Sequence, residues 1–435
     1  MTTRDSNAPR PEDRVNTASR PSELKITDMR IAVVGHANWR WPIIKLYTNQ
    51  GLVGLGEVRD GASARYALML KSRLLGENPC DVDRLFRKIK QFGGHARFGG
   101  GVCGVEMALM DLAGKAYGAP AFMLAGGKFR DQVRCYADTP ARQDPKEMGE
   151  ALKGRMERGF TFLKMDIGIW ISRNIDGGLS YPEGMLDTTQ VMHPFTGIQV
   201  TQKGIEAIQE YVATVRDIVG YQVPIASDHF GHIGLENCIK IARALDQYNL
   251  AWYEDMVPWQ FADQWRQLKE SCMTPVCTGE DIYLKEGFQD LFDKKAISVA
   301  HPDLATSGGI LETKKIGDLA QDHGIAMALH QAGSPIVAMA NVHCAAATEN
   351  FLALEMHSVD LDWWDDLVTV DGESKKIVQD GYVKVPVSPG LGIELNEEAV
   401  AQHLAQPGRF HVFPEGIFEP TDEWDGLDSN DRTWS

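Results

Sequence analysis

Three acidic residues, Asp228, Glu254 and Glu280, each follow a short apolar run (VPIASD, LAWYE and PVCTGE), and equal steps of 26 residues separate them (254 − 228 and 280 − 254). If those runs are neighbouring parallel strands, the three carboxylates converge on one space. At ~4 Å each like-charged pair costs about 4 kcal/mol for an effective dielectric near 20, so the acids must protonate, separate or share a cation. An all-oxygen site suits Mg²⁺, which keeps positions open for water and substrate. One such acid by itself would be read as the cap of the following helix. Three in register favour the metal.

The rhythm continues through Asp303 (AHPDLATSGGI), His330 (MALHQAGSP) and Glu355 (FLALE), at steps of 23, 27 and 25 residues. An aspartate that accepts from one imidazole nitrogen fixes the tautomer and raises the pKa of the other, the arrangement of a general acid or base. Either residue alone would be a capping Asp or an unrelated polar His. His229 and His232, in SDHFGHI, stand open between an acid at the site and a loop turn. A period of two places Lys164 and Asp166 on one face of their strand. That pair is either a buried salt bridge or, near a metal-bound carboxylate, an ammonium that steadies developing negative charge or moves a proton.

Strand-helix units must position these side chains. After about Val133 short apolar runs (TFLKMD, VPIASD, ISVAHPD, IAMALH) alternate with amphipathic helices, whose apolar teeth include Ile205, Ile208, Val212 and Val215. Such repeats imply a parallel sheet, and compact units of this size suit closure into a β/α barrel of ~250 residues. An open doubly wound sheet is the alternative, but no Gly-rich phosphate turn announces it. The 64 residues from Lys164 to Asp228 exceed one unit, so residues 169–202 are expected to form a long loop over the mouth. Residues 25–132 read as an α+β capping domain: alternating strands with a TNQG hairpin turn, then a helical period through Val105, Leu109, Leu112 and Ala116. The barrel is expected over 133–370. The segment 371–435 is expected to pack back on the capping domain, and the polar stretch 1–24 to be a mobile arm.

Composition narrows the function classes. The chain has 435 residues, with 60 acidic against 44 basic, a formal charge of −16 that disfavours a nucleic-acid partner. Seven scattered cysteines without a C-x-x-C pair argue for a reducing compartment. No stretch approaches the ~18 uncharged apolar residues of a membrane span, and no signal-peptide core precedes the first strand, so a cytoplasmic location and no membrane partner are expected. The Gly-rich run before Val102 lacks the pattern of a phosphate loop.

With these residues in view, the chain resembles the mandelate racemase subgroup of the enolase superfamily from about Ile26 to Leu391. VEMALMDLAGKAYGAPAFMLAGG is similar to the helix and turn that join the family's capping domain to its barrel. The resemblance implies that Asp228, Glu254 and Glu280 are the three Mg²⁺ ligands, Asp303 and His330 the Asp-His dyad, and Glu355 the acid that hydrogen-bonds the substrate carboxylate. It also carries a departure. Lys164 matches the first lysine of the family's K-x-K motif, but Asp166 stands where the second, the usual proton-transferring base, would be. In some sugar-acid dehydratases that the chain resembles, an extended loop after the second strand supplies the missing acid or base. Here the insertion offers Arg173, Tyr181 and His193.

The expected reaction is dehydration of a sugar acid to a 2-keto-3-deoxy acid, a carbon-oxygen lyase activity. The α-proton leaves to a base (Tyr181, or His330 acting twice), and His330 protonates the departing β-hydroxyl. An epimerase or cycloisomerase using the same enolate is the alternative, and a sugar-acid binding protein without turnover is a third. From the capping domain, the loops His36–Trp41 and GGHARFGG are expected to set specificity, with Arg40, Arg97 and the barrel's His232 at the substrate. Self-association into a homo-oligomer is expected.

Overall fold

The alternating stretch at the front of the chain forms three antiparallel strands, β1 (Ile26–His36), β2 (Trp39–Thr48) and β3 (Val53–Glu57). Between β2 and β3 the TNQG turn closes with Gly51 N–H donating to Thr48 O at 3.3 Å, and Gly51 takes φ 78°, which glycine adopts without strain. The computed structural model describes residues 19–36, 39–183, 197–228, 233–405 and 416–421.

One long helix, Gly100–Tyr117, backs this sheet. It is buried nearly all round, so its Leu109 and Leu112 face apolar neighbours and contribute about 1.5–3 kcal/mol each. Gly104 lets it come close: a Cβ there would lie 2.7 Å from Glu57 O.

The barrel follows in β4 (Gln132–Ala137) and β5 (Leu163–Asp166). A two-stranded excursion, β6 (Leu179–Ser180) with β7 (Gln199–Val200), precedes β8 (Ile225–Asp228), β9 (Tyr253–Glu254), β10 (Val276–Thr278), β11 (Val299–Ala300), β12 (Ala326–Leu329) and β13 (Phe351–Met356). Neighbours run β4-β13-β12-β11-β10-β9-β8-β5, all parallel, so the eighth strand pairs with the first. That curl excludes the doubly wound alternative. β4 and β5, at the two ends of the row, lie in contact without a recorded ladder between them. Tyr136, Phe162, Trp252, Cys277 and the alanines 226, 328 and 353 fill the interior, large rings against small side chains.

The insertion is more ordered than a plain loop. Its described parts contain a helix, Ile169–Arg173, and the β6–β7 ladder, because Ile171, Ile198 and Val200 are apolar anchors that bury. Past the barrel come β14 (Val368–Val370), β15 (Tyr382–Lys384) and β16 (Ile393–Leu395). β14 pairs with β16, and β15 runs antiparallel along β4. This segment reaches the capping unit: Leu391 N–H donates to Asp111 at 2.8 Å and Ala405 N–H to Val33 O at 2.8 Å. Residues 19–24, read from sequence as the end of a mobile arm, lie against the same unit. Leu24 is buried, and Ser19 Oγ donates to Ala116 O at 2.9 Å.

Two buried carboxylates fasten the capping unit to the barrel. Glu57 accepts from Ser334 N–H (2.9 Å) and from its hydroxyl, at the start of helix Pro335–Ala347. Glu106 accepts from Ile310 (2.5 Å) and Leu311 (3.0 Å) N–H, at the start of helix Gly309–Asp322. Exposed backbone donors and the helix dipole favour an acid at each place.

Candidate active site

Lys164 points into the barrel from β5 and is 2% exposed. Its Nζ lies 2.8 Å from Asp228, 2.9 Å from Glu355 and 3.3 Å from Glu254. Burial pulls its pKa down, but these three carboxylates outweigh it and hold the ammonium well above its ordinary value. Asp166, one period further along, pairs across the ladder with Asp228.

The acids crowd on the other side of Lys164. Glu254, Asp255 and Glu280 each offer an oxygen within 4.8 Å of the others. Burial, then Glu280, Glu254 and Asp228, push the Asp255 carboxyl well up, and burial with Glu280 raises Asp281. Glu280 moves the other way. Burial raises it, but His330 and Arg59 bring it down to about 2.

Asp303 and His330 meet as a parallel bridge where β11 and β12 run out, and His330 Nδ1 lies 2.6 Å from Asp303 Oδ2. Its Nε2 faces Glu280 at 3.1 Å and Glu355 at 3.8 Å. Burial lowers the imidazole pKa, yet Glu280, with Glu355 and Asp303, raises it to about 10. Asp303 stays ionised: burial opposes that, and Arg59 and His330 overcome it.

Beneath the acids runs a buried polar ring. Tyr136 OH lies 2.8 Å from His301 Nε2 and donates to Glu355 at 3.3 Å, while His301 Nδ1 sits 3.0 Å from Glu254 Oε1. Trp252 Nε1 donates to the other oxygen of Glu254 at 2.9 Å. The Tyr136 and Trp252 donors restrain the carboxylates of Glu355 and Glu254 that the mouth displays.

Families with this geometry are known. Residues 147–399 match the model described as enolase C-terminal domain-like, and residues 14–126 the mandelate racemase / muconate lactonizing enzyme N-terminal domain. The chain belongs to the enolase superfamily. Among superfamily relatives, a D-xylonate dehydratase of Haloferax volcanii is 34% identical over 91% of this chain and 92% of its own length. A D-galactonate dehydratase family member of Pantoea ananatis is 27% identical over 89% and 96%. A mandelate racemase/muconate lactonizing enzyme-like protein from Rubrobacter xylanophilus superposes with TM-score 0.77 at 31% identity, covering 88% of this chain and 98% of that one.

The structure places the remaining expected residues as follows. Asp255 joins Glu254 and Glu280 in the close acid cluster, and Asp228 lies 2.8 Å from Lys164 Nζ. The cause is local. Asp255 takes φ 47°, which turns the chain back immediately after β9, and Thr278 Oγ1 donates to its carboxylate at 2.5 Å.

Tyr181 is 44% exposed beyond β6 and makes no hydrogen bond to the cluster among the described residues. Arg97 is committed to Asp60 at 3.1 Å, and Arg40 donates to Trp39 O at 2.7 Å within the capping sheet. His193, His229 and His232 lie outside the described residues.

Sequence reading missed Asp255, His301, Tyr136 and Arg59. A second acid after Glu254 and a histidine two residues before Asp303 were the available signals for two of them.

Proposed function

We propose that this chain dehydrates a sugar acid. The observation that carries the reading is His330: seated on Asp303, it turns its free nitrogen toward Glu280 and Glu355, in the space where Lys164 brings positive charge. The relatives named as dehydratases support it, and the D-xylonate enzyme makes a five-carbon aldonate the first substrate to try.

The donor set fits Mg²⁺. Glu254, Asp255 and Glu280 offer hard oxygens at close range, and Asp228 adds a fourth carboxylate whose charge acts on Glu254 and Asp255. Bound there by these carboxylates, Mg²⁺ would supply positive charge against the substrate carboxylate.

The chain's own residues do the rest. The Lys164 ammonium, locked by three acids, opposes the negative charge that gathers as the α-proton departs. With aspartate at position 166, no lysine pair is present to take that proton. His330 serves on one face: in its neutral form it accepts the α-proton at Nε2 and returns it to the departing β-hydroxyl, while Asp303 holds Nδ1 throughout. Water leaves, and the enol settles to a 2-keto-3-deoxy acid.

Incubating aldonates and aldarates with enzyme and Mg²⁺ and assaying 2-keto acid tests the proposal. Silence across the panel, or exchange of the α-proton with solvent deuterium without 2-keto acid, overturns it.

A further inference from the structure

Arg59 belongs to the capping unit, two residues past β3, yet its side chain is 2% exposed and ends among barrel residues. Its Nη1 pairs with Asp303 Oδ2, donates to Thr306 Oγ1 at 3.2 Å and stands 3.4 Å from His330 Nδ1. Nη2 lies 3.6 Å from Glu280, and Nε lies 3.0 Å from Asp60. Burying a guanidinium costs several kcal/mol unless acids surround it, and here three do.

The backbone is shaped to admit it. A Cβ at Gly100, where the long helix begins, would sit 2.8 Å from Arg59 N and Cβ.

A fastening role alone does not account for this placement, since Glu57 and Glu106 already join the two units at helix starts. Asp303 has its acceptors filled from every side: Oδ1 by Ala305 N–H at 2.6 Å, Oδ2 by both Arg59 and His330. So held, it cannot swing away from the imidazole. We propose that Arg59 is a positioning residue for proton transfer: the capping unit's guanidinium fixes Asp303, which in turn aims His330 Nε2 into the mouth. A lysine is a single point charge and cannot span Asp60, Glu280 and Asp303 together, so the fork geometry is the feature that matters.

The kinetic arm of the test rests on the dehydratase reading, and the spectroscopic arm does not. In Arg59→Lys and Arg59→Met, kcat is expected to fall roughly 10²-fold while KM stays within about 3-fold, as for a misplaced catalytic group. Arg59→Lys keeps the charge, so it serves if Arg59→Met does not fold.

Independently of any substrate, the far-downfield proton resonance of the His330 Nδ1–H···Asp303 bond, assigned by its loss in His330→Asn, is expected to move or vanish in Arg59→Lys. A wild type inert toward every sugar acid, with a resonance that still responds, sinks the dehydratase reading and leaves the positioning role standing. A resonance unmoved in Arg59→Lys, or a kcat within about 3-fold of wild type, overturns the role.

Discussion

His330 Nδ1 lies 2.6 Å from Asp303 Oδ2, close enough that Asp303 fixes the ring and its other nitrogen is presented to the acids of the mouth. Replacing His330 with Asn should therefore lower turnover by roughly 10²–10⁴-fold, the range for loss of a general acid-base group. Initial rates of 2-keto acid formation at saturating substrate check this; a His330→Asn enzyme with near wild-type kcat would remove the dyad from the mechanism.

Lys164 neutralises three buried acids at once, so Lys164→Met leaves charge without compensation. Breaking a buried ion pair from one side costs about 3–5 kcal/mol, and urea unfolding should show a loss of that order along with loss of activity. An unfolding midpoint equal to wild type would mean that the acids protonate at no cost.

A cation that binds the folded chain alone should stabilise it by about 2.7 kcal/mol when its concentration is 100 times its Kd. Thermal melts are expected to rise with Mg²⁺, to fall back on chelation, and to lose the response in Glu254→Gln and Asp255→Asn. If Asp255→Asn responds as wild type does, that residue stands outside the coordination set.

Tyr136→Phe deletes the hydroxyl between His301 and Glu355. Leaving a buried partner unsatisfied costs about 1–3 kcal/mol, and the variant should be less stable by that amount with a reduced kcat, since Glu355 loses one of its anchors. Chemical denaturation and steady-state kinetics on the same preparation read both effects. Wild-type values in both would show the ring to be idle.

Burial raises Glu57 to about 7 and Glu106 to about 8, against the hydrogen bonds that favour their charged forms. Between the ordinary carboxylate range and those values the folded chain holds more protons than the unfolded one, so stability from these groups is present at low pH and lost as pH rises through 7 to 8. Glu57→Gln should flatten the lower part of that decline in unfolding free energy measured from pH 5 to 9. A slope identical to wild type would contradict the assignment.

The barrel and most of the mouth were legible because a parallel strand ends where its side chains converge, so Glu254, Glu280, Asp303, His330 and Glu355 could be placed by counting alone. What counting cannot see is backbone that leaves the period. Asp255 enters the acid cluster through a left-handed turn that no residue pattern announced. Arg59 arrives from a different unit altogether, and its partners are set by tertiary packing that local spacing does not encode. Arg97 pairs with Asp60 at 3.1 Å, a partner that its position in the sequence did not suggest.

Glu57 and Glu106 grip the first turns of two helices that follow the strands bearing His330 and Asp303. Hinging the cap away as a rigid plate would strip both acids of their amide donors beside His330 and Asp303. A cap bolted at two helix starts therefore holds its place over the mouth more firmly than a single hinge contact would allow.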